Sequence, residues 1–301
     1  MKNFINYIKK NSLGDFKENV SFKTLTSYKT GGTAKLLFFP NDVETLKKAL
    51  EYLKKEKMNY KVFGNGSNIL ASDGFYDGVI IKLTKLNNFK ISDDQVEVEA
   101  GYNFGLLCNK LCKDGYSGYE FGCGIPATVG GAIYMNAGAY LESVSDILIK
   151  VMVLDEDYNI KELNNSELDF DYRHSIFQNK NYVILKAYFK LKKGSKEEII
   201  SLIEDRKQRR VSTQPLEFPS AGSVFRNPEG NYAGKLIEEL GLKGKTKGGA
   251  MISDKHANFI INKDNASSED VLYLMDLITR EVKNKYNIDL HREQELFNFE
   301  D

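Results

Sequence analysis

Neither charge is in excess in this 301-residue sequence: Lys plus Arg and Asp plus Glu both count 42. The balance argues against a dedicated nucleic-acid binder, which carries a basic surplus. No apolar run approaches the roughly 20 residues that cross a bilayer. The first ten residues are basic but lack the apolar stretch of a signal peptide, so a cytoplasmic location is expected, away from any membrane. Cysteines are few, at 108, 112 and 123. An odd, small number fits a reducing compartment and no disulfide framework. Cys108 and Cys112 lie four apart in a segment, 104–113, whose periodicity predicts a helix with both thiols on its leucine side. They are expected to act as buried small hydrophobes, since no histidine is near enough to make a zinc site. The three histidines, at 174, 256 and 291, have no metal-like spacing, and no metal is expected.

Glycine is what the chain has where it matters. Five fall between 122 and 138, in Gly122-Cys-Gly-Ile-Pro-Ala-Thr-Val-Gly-Gly-Ala-Ile-Tyr-Met-Asn-Ala-Gly138. A second loop of the kind lies upstream, Val62-Phe-Gly-Asn-Gly-Ser-Asn-Ile-Leu70. A backbone without Cβ atoms approaches a ligand closely and takes positive φ freely. Successive exposed N–H groups in such loops make an anion-binding concavity. Two of them suggest a large phosphate-bearing ligand held along its length. No Gly-Lys-Ser/Thr follows either loop, so neither is a Walker loop, and neither holds Gly-x-Gly-x-x-Gly. Either loop taken alone is better read as an ordinary turn in a β-rich domain.

Length predicts two or three domains and a hydrophobic fraction of 42% is ample for a large core. Residues 41–56 predict a capped amphipathic helix. Strands are expected over 60–63, 78–83, 95–100 and 182–191, with a hairpin from 150–154 to 158–163. This mixture lacks regular βαβ spacing, which favours α+β over a doubly wound sheet. A charged helix over 196–210 suggests a domain boundary, dividing the chain into 1–195, in two subdomains, and 196–301. Further helices are expected over 231–240, closed by Gly241, and from Ser267-Ser-Glu-Asp270 onward, where the sequence resembles a capping box.

Several separated segments together resemble one family, the UDP-N-acetylenolpyruvoylglucosamine reductases of bacterial peptidoglycan synthesis. They are Tyr28-Lys-Thr-Gly-Gly32, the loops 64–68 and 122–138, Tyr172-Arg-His-Ser-Ile-Phe177, Pro219-Ser-Ala-Gly-Ser-Val-Phe-Arg-Asn-Pro228, Tyr232-Ala-Gly-Lys-Leu-Ile237 and Leu290-His-Arg-Glu293. The length resembles the shorter subtype, without the tyrosine-bearing loop. The resemblance implies a two-part FAD-binding domain of the vanillyl-alcohol-oxidase type, followed by a smaller α+β substrate-binding domain. It implies an oxidoreductase that uses non-covalent FAD and NADPH to reduce UDP-N-acetylglucosamine enolpyruvate to UDP-N-acetylmuramate. A monomer is expected.

Residue by residue, the resemblance implies catalytic roles for three positions. Arg173 matches the arginine that stabilises developing carboxylate charge, a task its planar fork suits. Ser223 matches the proton donor and Glu293 the glutamate near the C-terminus. FAD would lie on Gly64, Asn65, Gly66, Ser67 and Asn68, with Gly124, Ile125, Gly130 and Gly131 completing its site. Tyr172, Asn227 and His256 fall where substrate contacts are expected. Read alone, the same residues are unremarkable: Arg173 a surface ion pair, Ser223 a turn serine, Glu293 a solvated charge, His256 a structural histidine. Three positions depart from the family pattern. Ala127 stands where many relatives have glycine, so the backbone there must accept a Cβ. Thr213 stands where relatives often carry lysine. Gln294 follows Glu293 where an apolar residue is usual, a change able to shift the local strand. Two other readings stay open at this point: an O₂-using oxidase of the same superfamily, and a nucleotide-sugar sensor without catalysis. Many such oxidases hold FAD through a histidine in the N-terminal half, and here none precedes His174.

Overall fold

The computed structural model describes residues 1–299. Helices and strands are interspersed along the chain, so the α+β class expected from the sequence holds. By internal packing the chain forms two compact units: residues 1–18, 36–65 and 77–207, and residues 19–35, 66–76 and 208–301. A four-stranded sheet runs in the order Gly14–Ser21, Thr33–Pro40, Phe75–Lys82, Tyr60–Phe63, and its last pair is parallel.

The larger unit holds a five-stranded sheet in the order Ile160–Asn164, Leu148–Leu154, Val183–Lys190, Gln95–Glu99, Phe89–Ser92, antiparallel throughout. Alternation explains which face is inside. Val96 and Val98 are buried, while Glu97 pairs with Lys186 of the neighbouring strand on the other face. Leu148–Leu154 breaks strict alternation because its register shifts twice against Val183–Lys190. The helix Phe104–Lys113 starts where the Asn103 side chain accepts from the Leu106 N–H at 2.8 Å. It buries Phe104, Leu107, Cys108, Leu111 and Cys112, the i, i+3, i+4, i+7, i+8 stripe of a core-facing helix. Truncating Leu107 to alanine there would cost about 2–5 kcal/mol. Cys108 and Cys112 are thus buried in the apolar core, as their spacing suggested. The sequence did not show that Cys123 reaches the same place, its Sγ 3.9 Å from that of Cys112.

The smaller unit is built on the helix Ser268–Tyr286, whose Ser267 and Asp270 form a reciprocal capping box. A three-stranded antiparallel sheet, Thr246–Lys247, Ala250–Ile252 and Ile260–Asn262, belongs to this unit. The short helix Ala233–Glu239 does as well, and Glu295–Phe297 pairs in parallel with Ile69–Ala71. Its core takes Tyr28 and Leu70 from the N-terminal half, together with Val224, Phe225, Val271, Leu274 and Ile278. That burial is why segments 19–35 and 66–76 pack with the C-terminal third. The units therefore differ from a single division at residue 195, and the larger one continues to Lys207, inside the helix Lys196–Thr213. Ile199 and Ile203 explain the extension, since both pack on the larger unit's core. No described helix is long and apolar enough to cross a membrane.

Candidate active site

In the larger unit the two glycine loops touch. A Cβ on Gly64 would lie 2.8 Å from Thr128 Oγ1 and 3.8 Å from the Gly131 Cα. Asn65 Nδ2 donates to the Pro126 carbonyl at 3.1 Å. Thr128 caps the helix Val129–Tyr134 by accepting from the Gly131 N–H at 3.1 Å. Gly130 donates to the Ala100 carbonyl at 2.9 Å. The N–H groups of Gly130 and Gly131 are therefore already used. What these glycines contribute is a surface without Cβ atoms. By contrast, the consecutive N–H groups of Asn65, Gly66 and Ser67 have no acceptor among the described residues. That is the arrangement that receives a phosphate. Gly124 and Ile125 close the short 3₁₀ turn before this loop. Ala127 takes its Cβ without difficulty: it sits at the edge of the core, outside the positive-φ positions.

The C-terminal end of the 122–138 loop holds Arg173. Its residue has φ +58°, a strained value for a side chain with a Cβ. The turn is strapped down by its neighbours. Asn136 Nδ2 donates to the Asp171 carbonyl at 2.9 Å, and Ser175 Oγ donates to the Tyr134 carbonyl at 2.6 Å. Gln178 Nε2 donates to the carbonyl of Arg173 itself at 3.0 Å. Arg173 Nη2 donates to the Gly138 carbonyl at 2.7 Å, and its guanidinium lies 5.1 Å from the ring centre of exposed Tyr172. The structure thus brings Arg173 and Tyr172 onto the loop that ends at Gly138.

The smaller unit gathers Ser223, Glu293, Asn227 and His256 around one buried residue that the sequence did not single out, Asn258. Its carbonyl accepts from the Val224 N–H at 2.9 Å. Its Oδ1 accepts from the Phe225 N–H at 3.0 Å, and its Nδ2 donates to the Phe225 carbonyl at 2.8 Å. The segment so clamped runs alongside the C-terminal one: Glu293 N–H donates to the Val224 carbonyl at 2.8 Å and Arg226 N–H to the His291 carbonyl at 2.9 Å. Ser223 and Glu293, far apart in sequence, are neighbours for this reason. The Ser223 hydroxyl makes no hydrogen bond among the described residues, so it is not a turn-stabilising serine. Glu293 is half-buried rather than fully solvated. Asn68 brackets the same segment. Its Nδ2 donates to the Glu293 carbonyl and its own carbonyl accepts from Glu295 N–H, both at 2.9 Å.

His256 Nδ1 accepts from the Asn258 N–H at 3.2 Å, and its ring centre lies 4.8 Å from that of Phe259. Burial first, and then the Lys243 ammonium, push this imidazole below its ordinary value. Asn227 is exposed, and its Oδ1 accepts from the Ala233 N–H at 3.1 Å, at the start of the helix Ala233–Glu239. Thr213 is the exposed last residue of Lys196–Thr213, and Lys255 Nζ donates to the Val211 carbonyl nearby at 2.6 Å. Gln294 does not disrupt the strand that follows it, since Glu295–Phe297 pairs normally with Ile69–Ala71.

Known proteins share this layout. The family described as UDP-N-acetylenolpyruvoylglucosamine reductase, C-terminal domain, matches residues 214–297, and the FAD binding domain family matches 34–164. A UDP-N-acetylenolpyruvoylglucosamine reductase from Clostridium botulinum (strain 657 / Type Ba4) is 44% identical over 271 residues, 90% of this chain and 89% of that protein. The chain belongs to the UDP-N-acetylenolpyruvoylglucosamine reductase family. Another relative of that name, from Bacillus pumilus (strain SAFR-032), is 41% identical over 298 residues and 98% of both chains. The crystal structure of the Thermus caldophilus enzyme superposes with a TM-score of 0.82 at 35% identity, covering 94% of this chain and all of that one. The FAD-binding fold of the vanillyl-alcohol-oxidase type, expected from the resemblance, follows from family membership and the FAD binding domain match. The residues fit that cofactor: Gly64 lies where a Cβ would fill the space against Thr128, beside the row of unpaired N–H groups.

Proposed function

We propose that this chain reduces the enolpyruvyl group of UDP-N-acetylglucosamine enolpyruvate, giving UDP-N-acetylmuramate, with NADPH as electron source. The observation that carries the reading is the Ser223 hydroxyl, unengaged and fixed beside Glu293 by the Val224 carbonyl. FAD, when bound, supplies the hydride chemistry between NADPH and the substrate. The protein's own residues do the rest. Asn65, Gly66 and Ser67 offer N–H groups to the cofactor's phosphates, with Gly64 and Asn68 shaping that loop. Gly124, Ile125, Gly130 and Gly131 give it an unobstructed backbone surface. Arg173 stabilises the negative charge that spreads onto the substrate carboxylate. Its bond to the Gly138 carbonyl orients the guanidinium. Ser223 Oγ–H gives a proton to the carbanion, a base strong enough to take it from a serine. Glu293 supports that transfer. Tyr172, Asn227 and His256 contact the nucleotide sugar. The cofactor domain corresponds to residues 1–195 and the substrate domain to 196–301, with segments 19–35 and 66–76 packing in the unit that carries Ser223. The enzyme works as a cytoplasmic monomer.

An anaerobic absorption spectrum tests the reading. NADPH should bleach the flavin bands of the purified protein, and UDP-N-acetylglucosamine enolpyruvate should restore them. Bleaching without recovery would overturn the proposed substrate, and no bleaching by NADPH would leave a nucleotide-sugar sensor without catalysis in its place.

A further inference from the structure

Gln294 is a polar side chain, yet it is only 4% exposed. Its amide is fully used. Oε1 accepts from the Tyr28 hydroxyl at 2.9 Å. The two hydrogens of Nε2 go to the Ala221 and Gly222 carbonyls, both at 3.1 Å. Tyr28 is itself anchored, with no exposed surface, and its carbonyl accepts from Asn262 Nδ2 at 2.9 Å. Burial pushes its phenol well above the ordinary range, so it remains a donor at any working pH.

The consequence for Ser223 is geometric. The Gly222 carbonyl, just before it, is held by the Gln294 side chain, and the Val224 carbonyl, just after it, by the Glu293 N–H. Gln294 therefore grips the peptide before the serine and Glu293 the second peptide after it, while the Asn258 carbonyl takes the N–H of the peptide between them. Gly222 has φ +76° with nothing within 4 Å of where a Cβ would sit, so this residue is held by its hydrogen bond and by its buried neighbours Ala221 and Val224 rather than by contacts of its own. We infer that Gln294 is a positioning residue for the reduction: by tying Ala221 and Gly222 to Tyr28, it fixes the Ser223 hydroxyl in register with Glu293. This rests on the proposed role of Ser223 as proton donor. Replacing Gln294 with an apolar residue would take the donor from two carbonyls and the acceptor from a buried phenol.

The test uses the FAD-loaded enzyme and follows the two half-reactions separately by stopped flow, beside thermal unfolding. Gln294→Val should leave flavin reduction by NADPH within about twofold of the parent and slow reoxidation by the enolpyruvyl substrate by about 10–100-fold, the scale of a misplaced reacting group. Its unfolding midpoint should fall. Adding Tyr28→Phe removes the orphaned hydroxyl and should recover much of the midpoint, while reoxidation stays slow. A merely structural role predicts that the double variant recovers both. Recovery of both, or a Gln294→Val enzyme that reoxidises at the parent rate, overturns the inference. If Gln294→Val does not load FAD, Gln294→Met keeps more of the side-chain volume and is read the same way. Ser223→Ala, run alongside, separates the two ideas. Fast reoxidation in Ser223→Ala removes the serine's role and the Gln294 inference with it. Slow Ser223→Ala with fast Gln294→Val removes the Gln294 inference alone.

Discussion

Arg173 donates through Nη2 to the carbonyl of Gly138 at 2.7 Å. This bond orients a planar guanidinium, whose geometry suits a carboxylate bidentately. Lysine cannot do both from one nitrogen with the same planarity. Arg173→Lys should therefore lower kcat for substrate reduction by about 10²-fold, the usual scale for a lost charge-stabilising donor. Its thermal midpoint should stay near the parent's, because Asn136, Ser175 and Gln178 hold the turn without the side chain. Parent-like turnover in the lysine variant would show that charge alone suffices, or that the residue is not at the reacting carboxylate.

Ser223→Ala should separate the half-reactions. If Ser223 gives its proton only after hydride has reached the substrate, flavin reduction by NADPH is spared. Reoxidation should slow by about 10²–10⁴-fold, as for loss of a positioned general acid. Glu293→Gln should slow the same half-reaction. Stopped-flow traces with each substrate in turn distinguish the cases. Parent-rate reoxidation in Ser223→Ala reopens the search for the acid.

How much of this was legible in the sequence depends on the range of the interaction. The helix Phe104–Lys113 and the hairpin of Leu148–Leu154 with Ile160–Asn164 follow from local periodicity, and both formed as expected. The helix Val129–Tyr134 was hidden, since two of its six residues are glycine and only the Thr128 cap announces it. The first helix, Lys2–Lys10, did leave a signal: Phe4, Ile5 and Ile8 share one buried face. The strand Gly14–Ser21 left none, because its exposed, charged residues do not alternate. At the site, glycine loops and the arginine, serine and glutamate motifs stand out by type. What holds them does not. Tyr28 and Gln294 bond across 266 residues, and the Asn258 side chain bonds to the Phe225 backbone, a partner that no residue pattern reveals.

FAD should be held without a covalent bond, since no histidine precedes His174 to attach it. Acid precipitation should release the yellow chromophore into the supernatant. Colour kept in the pellet, with a flavin adduct in the mass spectrum, would refute this.

The loop contact offers a sharper probe of the cofactor site than Gly66. At Gly66, φ is +66° and a Cβ would lie 2.1 Å from the Leu25 carbonyl, so substitution strains the fold whether or not cofactor is present. Gly64 has no such backbone clash, and its added Cβ meets only the Thr128 hydroxyl, at 2.8 Å. Gly64→Ala should push the two loops apart by a few tenths of an ångström. The purified variant should carry less FAD per chain than the parent, with a smaller loss of thermal stability than Gly66→Val. Full FAD loading in Gly64→Ala would move the cofactor away from this contact.

His256 supplies a pH test with a defined sign. In the folded chain its pKa is lowered, first by burial of the ring and then by the Lys243 ammonium, and Nδ1 accepts from the Asn258 N–H. As pH falls, the unfolded chain takes up the proton first, near the ordinary histidine value of about 6.5. The contribution of neutral His256 to stability is therefore complete above that pH and is lost as pH drops through the folded-state value. Glutamine can accept from the same N–H and does not titrate. His256→Gln should thus lose less stability than the parent between about pH 8 and about pH 5, measured by denaturant unfolding. An identical pH slope in the two proteins would mean that His256 keeps an ordinary pKa and that the Asn258 contact does not depend on its neutral form.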